Sequence, residues 1–291
     1  EEQREFNVLA APGYVELIDE LVTLSGDRGN TAFVVGDAPA RLANNSTDIT
    51  NWASNANSSA SNDEDGLVTS DSFTAVYYPW GTSTDLAGNN VFVPPSHMVL
   101  RTLAVNDDVA FPWFAPAGIR RGVVDNATSV GYIKESTGEK QVIAVSQGIR
   151  DTLSTNRVNP ISFLTGAGLT IFGQKTRHSG TSALDRVNVA RLVVFLRTQL
   201  DKLAQPFIFE PNDELTRNEI KQAVESFLLE VQGQRGLFDF AVVCDETNNT
   251  PSRIDRNELY VDIAIEPVKA VEFIFIPIRL KNTGEIDQLG L

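Results

Sequence analysis

The strongest constraint in this sequence is a helical segment whose centre is apolar on every side. Residues 186–204 place apolar side chains at helical spacing, and Leu192–Leu196 is an uninterrupted apolar run. A helix that is apolar all round is buried on most sides, because a solvent-facing side would carry polar residues. We therefore expect this helix to be covered on several sides by other elements.

A second helix is predicted over residues 215–232, and its pattern is amphipathic. Apolar residues recur there at spacings of three and four, which predicts one buried face. Thr216 and Glu219 have the spacing of a capping box, which predicts the first turn of the helix. The buried face comprises Ile220, Ala223, Val224, Phe227, Leu228 and Val231.

Three strand candidates complete the chain. Residues 237–244 are almost continuously apolar. Residues 260–266 alternate between apolar and polar positions, and residues 271–280 alternate again but are interrupted by Pro277. Proline cannot donate a ladder hydrogen bond, which favours a sheet edge or an arm for the last strand. We expect residues 181–291 to form a C-terminal domain of two helices packed on a mixed β-sheet, with an extended C-terminal arm.

The first part of the chain predicts a different arrangement. Residues 6–11, 14–24 and 31–36 read as strand, helix and strand, which is typical of a βαβ unit in an α/β domain. Residues 73–80 read as one further strand. The stretch 44–72 is rich in Asn, Ser, Asp and Thr, and we interpret it as a surface loop or insertion. The predicted fold class is therefore mixed α/β, with residues 1–180 as its first domain.

Charge and hydropathy exclude several classes of partner. The chain has 24 basic and 38 acidic residues, a net charge of −14, which would repel nucleic acid over most of the surface. No run reaches the roughly 18 apolar residues that a membrane span needs. We expect no direct nucleic-acid binding and no membrane insertion. Glu1–Glu5 do not form a secretory leader and indicate a helix tail or linker of a longer chain.

No pattern of catalytic, metal or cofactor residues is visible. His97 and His178 have no Cys or His at metal-ligand spacing, and Asp63–Asp65 lacks the calcium-loop pattern. The nucleophile-elbow and phosphate-loop motifs are absent. The single cysteine, Cys244, lies in a strand candidate and is interpreted as a small buried hydrophobe. We predict no catalytic residues, no metal and no cofactor.

Several short segments, taken in chain order, resemble one known family. These segments are Val93–Ser96, Phe111–Gly122, Asn159–Ile161, Gly173–Thr176, Arg186–Leu192, Phe209–Asp213 and Val242–Pro251. Together they resemble the contractile tail sheath proteins of myovirus-type phages, and the last two segments are similar to the T-even branch. The stretch 44–72 departs from the family pattern, and the N-terminal segments of the family are not visible.

The resemblance implies a structural subunit rather than an enzyme. Such a subunit polymerises helically around a tail tube and contracts to drive the tube through the host envelope. The implied partners are copies of the same chain, the tail tube protein, and the baseplate and tail terminator proteins. The implied location is the virion, after assembly in the host cytoplasm.

The resemblance also implies two sets of interface residues. Sheath proteins carry C-terminal arms that add β-strands to neighbouring subunits. The corresponding arm residues are Val271, Phe273, Phe275, Ile276, Ile278 and Leu280. An edge strand of the subunit's own sheet is the alternative for this segment. On the polar side of helix 215–232, Arg217 and Lys221 are the candidates for facing the tube.

Two other functions remain open from the sequence. The first is the sheath of a phage-tail-like injection system or a type VI secretion machine, which shares the same architecture. The second is an α/β hydrolase or carbohydrate-active enzyme without a recognisable motif. An enzyme of that kind requires polar side chains clustered in a pocket, which a structure reveals.

Overall fold

The computed structural model describes residues 5–56 and 60–272. The elements of the first half are β1 Val8–Ala10, α1 Ile18–Asp27, β2 Phe33–Asp37, α2 Ser46–Ala53, β3 Thr74–Tyr78, β4 Trp80–Thr84, β5 Asn90–Val93, α3 Pro95–Val109, α4 Gly118–Arg121, β6 Ser129–Ile133 and β7 Lys140–Ile143. The elements of the second half are α5 Gln147–Thr155, β8 Val158–Leu164, β9 Gly168–Ile171, α6 Val187–Ala204, α7 Glu214–Gly233, β10 Leu237–Val243, α8 Pro251–Ile254 and β11 Asp262–Pro267. The predicted mixed α/β class is confirmed.

The central sheet has five strands in the order β1-β2-β3-β8-β9. The first four strands run parallel, and β9 pairs antiparallel with β8. All residues of β2 and β3 are buried. Strands buried on both faces are typical of parallel sheets covered by helices.

A second, antiparallel sheet has the order β5-β4-β6-β7. The sequence pattern predicted one strand over residues 73–80, and this prediction was wrong. The segment forms β3 and β4, which belong to different sheets, with Pro79 between them. Because proline lacks an amide proton, it interrupts a hydrogen-bond ladder at this position.

The stretch 44–72 is more ordered than its composition indicated. Helix α2 begins after Asn45, whose side chain accepts a hydrogen bond from the backbone of Asp48 at 2.8 Å. Ile49 and Trp52 are buried on one side of this helix, and the Trp52 indole donates to the carbonyl of Asp63 at 2.8 Å. The loop prediction was therefore wrong for α2, because polar neighbours concealed a short apolar face.

Helix α6 lies between two apolar cores, as its uniform apolarity predicted. Val187 and Ala190 contribute to the core of the central sheet, whereas Leu192 and Leu196 contribute to a second core with α7. Trp113, from the first part of the chain, also lies in the second core. The division into residues 1–180 and 181–291 remains a prediction, and α6 is shared by the cores on both sides of it.

Helix α7 begins earlier than the capping box predicted. Asp213 is the N-terminal cap, and its carboxylate accepts a hydrogen bond from the Thr216 amide at 2.9 Å. The predicted apolar face is buried at Ile220, Val224 and Val231, together with Leu228. Phe227 of the same face is only partly buried.

Candidate assembly surfaces

Strands β10 and β11 form an antiparallel hairpin that packs on α7 through one face. Phe240 lies opposite Ile265 and Val242 opposite Ile263, and all four side chains contact the second core. Among the residues that the structure describes, this hairpin is a complete two-stranded sheet. A two-stranded sheet is marginally stable alone, so its packing on α7 supplies much of its stability.

The outer face of the hairpin is acidic and built from small side chains. It consists of three cross-strand pairs, which are Asp239 with Glu266, Ala241 with Ala264, and Val243 with Asp262. Within the described ranges, no third strand pairs with either edge. Unpaired strand edges present backbone donors and acceptors that an incoming strand can use.

The predicted arm residues fall almost entirely beyond the described chain. Val271 is 78% exposed, and Glu272 is the last residue that the structure describes. Phe273, Phe275, Ile276, Ile278 and Leu280 lie outside the described residues. Their assignment to an inter-subunit arm stays a prediction.

The two predicted tube-facing residues have different environments. Arg217 is only 7% exposed, and its guanidinium donates to the Asn212 side-chain oxygen at 3.1 Å. The expectation that Arg217 belongs to an exposed polar face was therefore wrong. Because α7 begins at Glu214, Arg217 lies in the first turn, where its side chain packs back on the preceding loop. Lys221 is half-buried.

An ionic cluster fastens the end of the described chain to the body of the protein. The Glu272 carboxylate accepts hydrogen bonds from Arg186 Nε at 2.6 Å, Arg186 Nη2 at 2.9 Å and Gln174 Nε2 at 3.1 Å. We call these three residues the Glu272 clamp. Gln174 and Arg186 lie in two segments that carried the family resemblance, but their acidic partner had no signal in the sequence.

A cleft of about 510 Å³ opens beside the Glu272 clamp. Residues 270–272 form one wall, and helix α5 contributes Arg150 and Asp151 to another. Burial lowers the pKa of the Lys175 ammonium in this cleft. Lys175 Nζ donates to the carbonyl of Ser154 at 2.9 Å. Arg150, Lys175 and Glu272 of this cleft therefore each make hydrogen bonds within the protein.

Several of the residues considered for chemistry make contacts within the protein. His178 Nδ1 lies 2.8 Å from Ser72 Oγ, and Asp63 accepts hydrogen bonds from the amide and hydroxyl of Thr69. Burial raises the pKa of the Cys244 thiol, which agrees with its interpretation as a buried hydrophobe. In the described part of the chain, no three His, Cys, Asp or Glu side chains form a group that could hold a metal ion. None of the described helices is long and apolar enough to cross a membrane.

A buried carboxylate that the sequence analysis missed joins three elements of the first core. Asp37, at the end of β2, is 2% exposed. It accepts hydrogen bonds from the Gly13 amide at 2.8 Å, the Ser96 amide at 2.5 Å and the Ser96 hydroxyl at 2.8 Å. Burial raises the pKa of this carboxyl, although the hydrogen bonds oppose the rise. Asp37 therefore fixes the N-terminus of α3 against the central sheet.

Comparisons with known proteins show which proteins the chain resembles and over which residues. Residues 179–281 match the family model described as the phage tail sheath C-terminal domain. Residues 179–281 therefore form a domain similar to the C-terminal domain of phage tail sheath proteins. This sheath domain includes α6, α7, the hairpin, and Arg186 and Glu272 of the clamp.

Curated relatives extend the similarity beyond the sheath domain. The tail sheath protein of Vibrio phage KVP40 is 35% identical over 185 residues, which are 64% of this chain and 26% of the relative. The tail sheath protein of Enterobacteria phage T4 is 32% identical over 201 residues, which are 69% of this chain and 29% of the relative. The chain thus spans between a quarter and a third of the length of these two relatives.

A solved structure supports the fold across nearly the whole chain. The sheath complex of an extracellular contractile injection system called PVC, in its contracted state, matches with a TM-score of 0.73 at 24% identity. The match covers 98% of this chain and 72% of the solved chain. The fold of the described residues is therefore a sheath fold, including the central sheet that precedes the sheath C-terminal domain.

Proposed function

We propose that this chain is a structural subunit of a contractile tail sheath, which polymerises helically around a tail tube and contracts to drive the tube through the host envelope. The observation that carries the proposal is the sheath C-terminal domain over residues 179–281, joined to a body of sheath fold. The protein acts by assembly, without catalysis. It works in the virion after assembly in the host cytoplasm.

The proposed partners follow from the same function. Copies of this chain form the polymer, the tail tube protein lies inside it, and baseplate and terminator proteins lie at its two ends. Lys221 is the remaining candidate for a tube contact on α7, since Arg217 is buried. Contacts between subunits supply the lattice, and two stable lattice packings of the same subunit would make contraction possible.

We further propose that the C-terminal segment adds a strand to the hairpin of a neighbouring copy. Residues 271–280 are apolar on both faces for most of their length, a pattern that is hazardous when left exposed. The open edges of β10 and β11 within the described chain are the receiving sites. Deletion of residues 271–291 should leave a chain that forms no sheath even when tubes and baseplates are supplied.

The test of the proposed function is electron microscopy of the purified chain, alone and with tail tubes. We expect striated helical tubes or rings. Globular monomers at every concentration and salt, with and without tubes, would contradict the proposal. Assembly of the 271–291 deletion into normal sheaths would contradict the strand-addition step alone.

A sheath of an extracellular injection system is the second candidate. It is favoured by the solved PVC sheath complex, which matches almost all of this chain. The phage function is preferred because the curated relatives at 35% and 32% identity are phage tail sheath proteins. Sequencing of the DNA around the coding region distinguishes the two, since capsid and packaging proteins accompany only the phage.

A further inference from the structure

The Glu272 clamp has the geometry of a strong ionic contact. Arg186 presents two nitrogens to the two carboxylate oxygens of Glu272, at 2.6 Å and 2.9 Å. Such bidentate, charge-assisted pairs are among the stronger hydrogen bonds in proteins. The side chains of Arg186 and Glu272 are only 26% and 25% exposed, so solvent screens the pair incompletely.

The third member of the clamp is already desolvated. Gln174 is 5% exposed, and among the described residues Glu272 is the hydrogen-bond partner of its side chain. Burial of an amide without a partner is unfavourable, so this side chain gains from the presence of Glu272. Arg186 and Gln174 therefore provide a prepared set of donors for one carboxylate on the segment that leaves the hairpin.

Backbone hydrogen bonds hold the two donors of the clamp in one frame. Lys175 pairs with Arg186 in an antiparallel bridge. The amide of Val187 donates to the Gln174 carbonyl at 2.8 Å, and the amide of Thr176 donates to the Asp185 carbonyl at 3.1 Å. Arg186 also precedes the first turn of α6, where a carboxylate is favoured by the helix dipole.

The chain between the hairpin and the clamp is tethered at both ends. After β11 ends at Pro267, the Val268 amide donates to the Gly236 carbonyl at 3.1 Å, and the Val268 carbonyl accepts from Asn188 Nδ2 at 3.4 Å. Glu272 is then fixed by the clamp four residues later. Residues 268–272 thus cross from the hairpin to the body and are held at both ends.

We propose that Arg186 and Gln174 position Glu272 as the anchor from which the C-terminal strand reaches the neighbouring copy of this chain. The inference rests on the proposed function. A strand that starts from a fixed point has fewer conformations to lose on pairing, so its effective concentration at the neighbour rises. Arg186, Gln174 and Glu272 are positioning residues, and the apolar run that follows makes the contact.

The test compares substitutions at the clamp with an exposed control. Glu272→Gln removes the charge and keeps the shape, whereas Arg186→Lys keeps the charge and loses the bidentate contact. Glu135→Gln, in the exposed turn between β6 and β7, is the matched control. Sedimentation of the full chain over a range of concentrations gives the critical concentration for polymers, and thermal unfolding of the monomer checks the fold.

We expect Glu272→Gln to raise the critical concentration about tenfold, the size that losing one charge-assisted contact gives. Arg186→Lys should give a smaller rise, and Glu135→Gln none. The monomer should unfold close to the wild-type temperature in all three variants. A critical concentration equal to that of the wild type in Glu272→Gln would overturn the anchor and leave the clamp as an ordinary tertiary contact.

If the wild type forms no polymer, the proposed function is contradicted. A second measurement then tests the anchor independently of polymer formation. Tryptic cleavage after Lys269 in the monomer, within the tethered segment 268–272, then reports how tightly this segment is held. We expect cleavage several-fold faster in Glu272→Gln than in Glu135→Gln. Equal cleavage rates would overturn the anchor.

Discussion

At the scale of single residues, the sequence identified types of environment better than it identified contacts. Cys244 was predicted as a buried hydrophobe and is 1% exposed. Arg217 was expected on a polar face but is buried, because its exposure depends on where α7 begins and how the preceding loop packs. Asp37 and Glu272 were not singled out, because their partners are distant in the sequence. Ser96 is 59 positions from Asp37, and Gln174 is 98 positions from Glu272.

Asp37 is expected to be important for stability. Asp37→Ala removes the acceptor of three hydrogen bonds and leaves two backbone amides without their partner. Loss of a buried acceptor, which leaves buried backbone amides unsatisfied, predicts a decrease of roughly 2–4 kcal/mol in the free energy of unfolding. Urea titration measures the change, with the exposed Asp201→Ala as control. A decrease no larger than that of the control would show that the Asp37 contacts contribute little.

The same carboxyl predicts a pH dependence of stability. Burial raises the pKa of Asp37 in the folded state. The folded protein therefore holds this proton at pH values where the unfolded chain has released it. Since stability falls with pH wherever the folded state binds more protons, this contribution declines as pH rises above the ordinary Asp value of about 3.9. Urea titrations at several pH values should show a steeper decline in the wild type than in Asp37→Asn.

At the scale of elements, periodic segments were predictable and short or polar ones were not. Helices α6 and α7 follow the 3.6-residue period, and their buried faces were read correctly. Strands β6 and β7 and helix α5 were missed, because they are short and their apolar pattern is weak. Strand β7 is largely exposed, and the buried positions of β6 include Gly131, which gives no apolar signal. Helix α2 was concealed by Asn, Ser and Thr neighbours, because its buried face consists of only Ile49, Trp52 and Ala53.

Helix α7 gives a comparison between adjacent residues. Leu228 is completely buried in the second core, whereas Leu229 is 57% exposed. Leu228→Ala is expected to lower the free energy of unfolding by about 3–5 kcal/mol, the usual range for a leucine that leaves a cavity. Leu229→Ala should change it by roughly 0.5 kcal/mol or less. Phe227→Ala should fall between the two, because Phe227 is only partly buried. Equal effects at 228 and 229 in urea titrations would contradict the packing of α7.

At the scale of the whole molecule, the sequence predicted the fold class but not the sharing of a helix between cores. The change of pattern near Arg186 was read as a boundary between residues 1–180 and 181–291. This division stays a prediction. Helix α6 contributes to the cores on both sides of it, and Trp113, from the first part of the chain, lies in the second core. Such contacts are non-local, so no pattern along the sequence specifies them.

The shared helix predicts one cooperative unfolding transition. Trp52 belongs to the first core and Trp113 to the second, so each can report on its own core. Two variants, each retaining one of these two residues as its single tryptophan, should each unfold at the same urea midpoint by fluorescence and by far-ultraviolet circular dichroism. Agreement between the two probes within a variant is the sign of two-state behaviour. Separate midpoints for the two cores would favour two independent domains.

Helix α6 also has a mechanical consequence. Its 18 residues extend about 27 Å at 1.5 Å per residue, and both cores are packed against it. We therefore expect helix α6 to transmit force from the hairpin to the central sheet, with little elastic strain stored inside the subunit. In a sheath that shortens, the compliance would then reside in the connections between subunits. The energy released on shortening would come from exchanging one set of inter-subunit contacts for another.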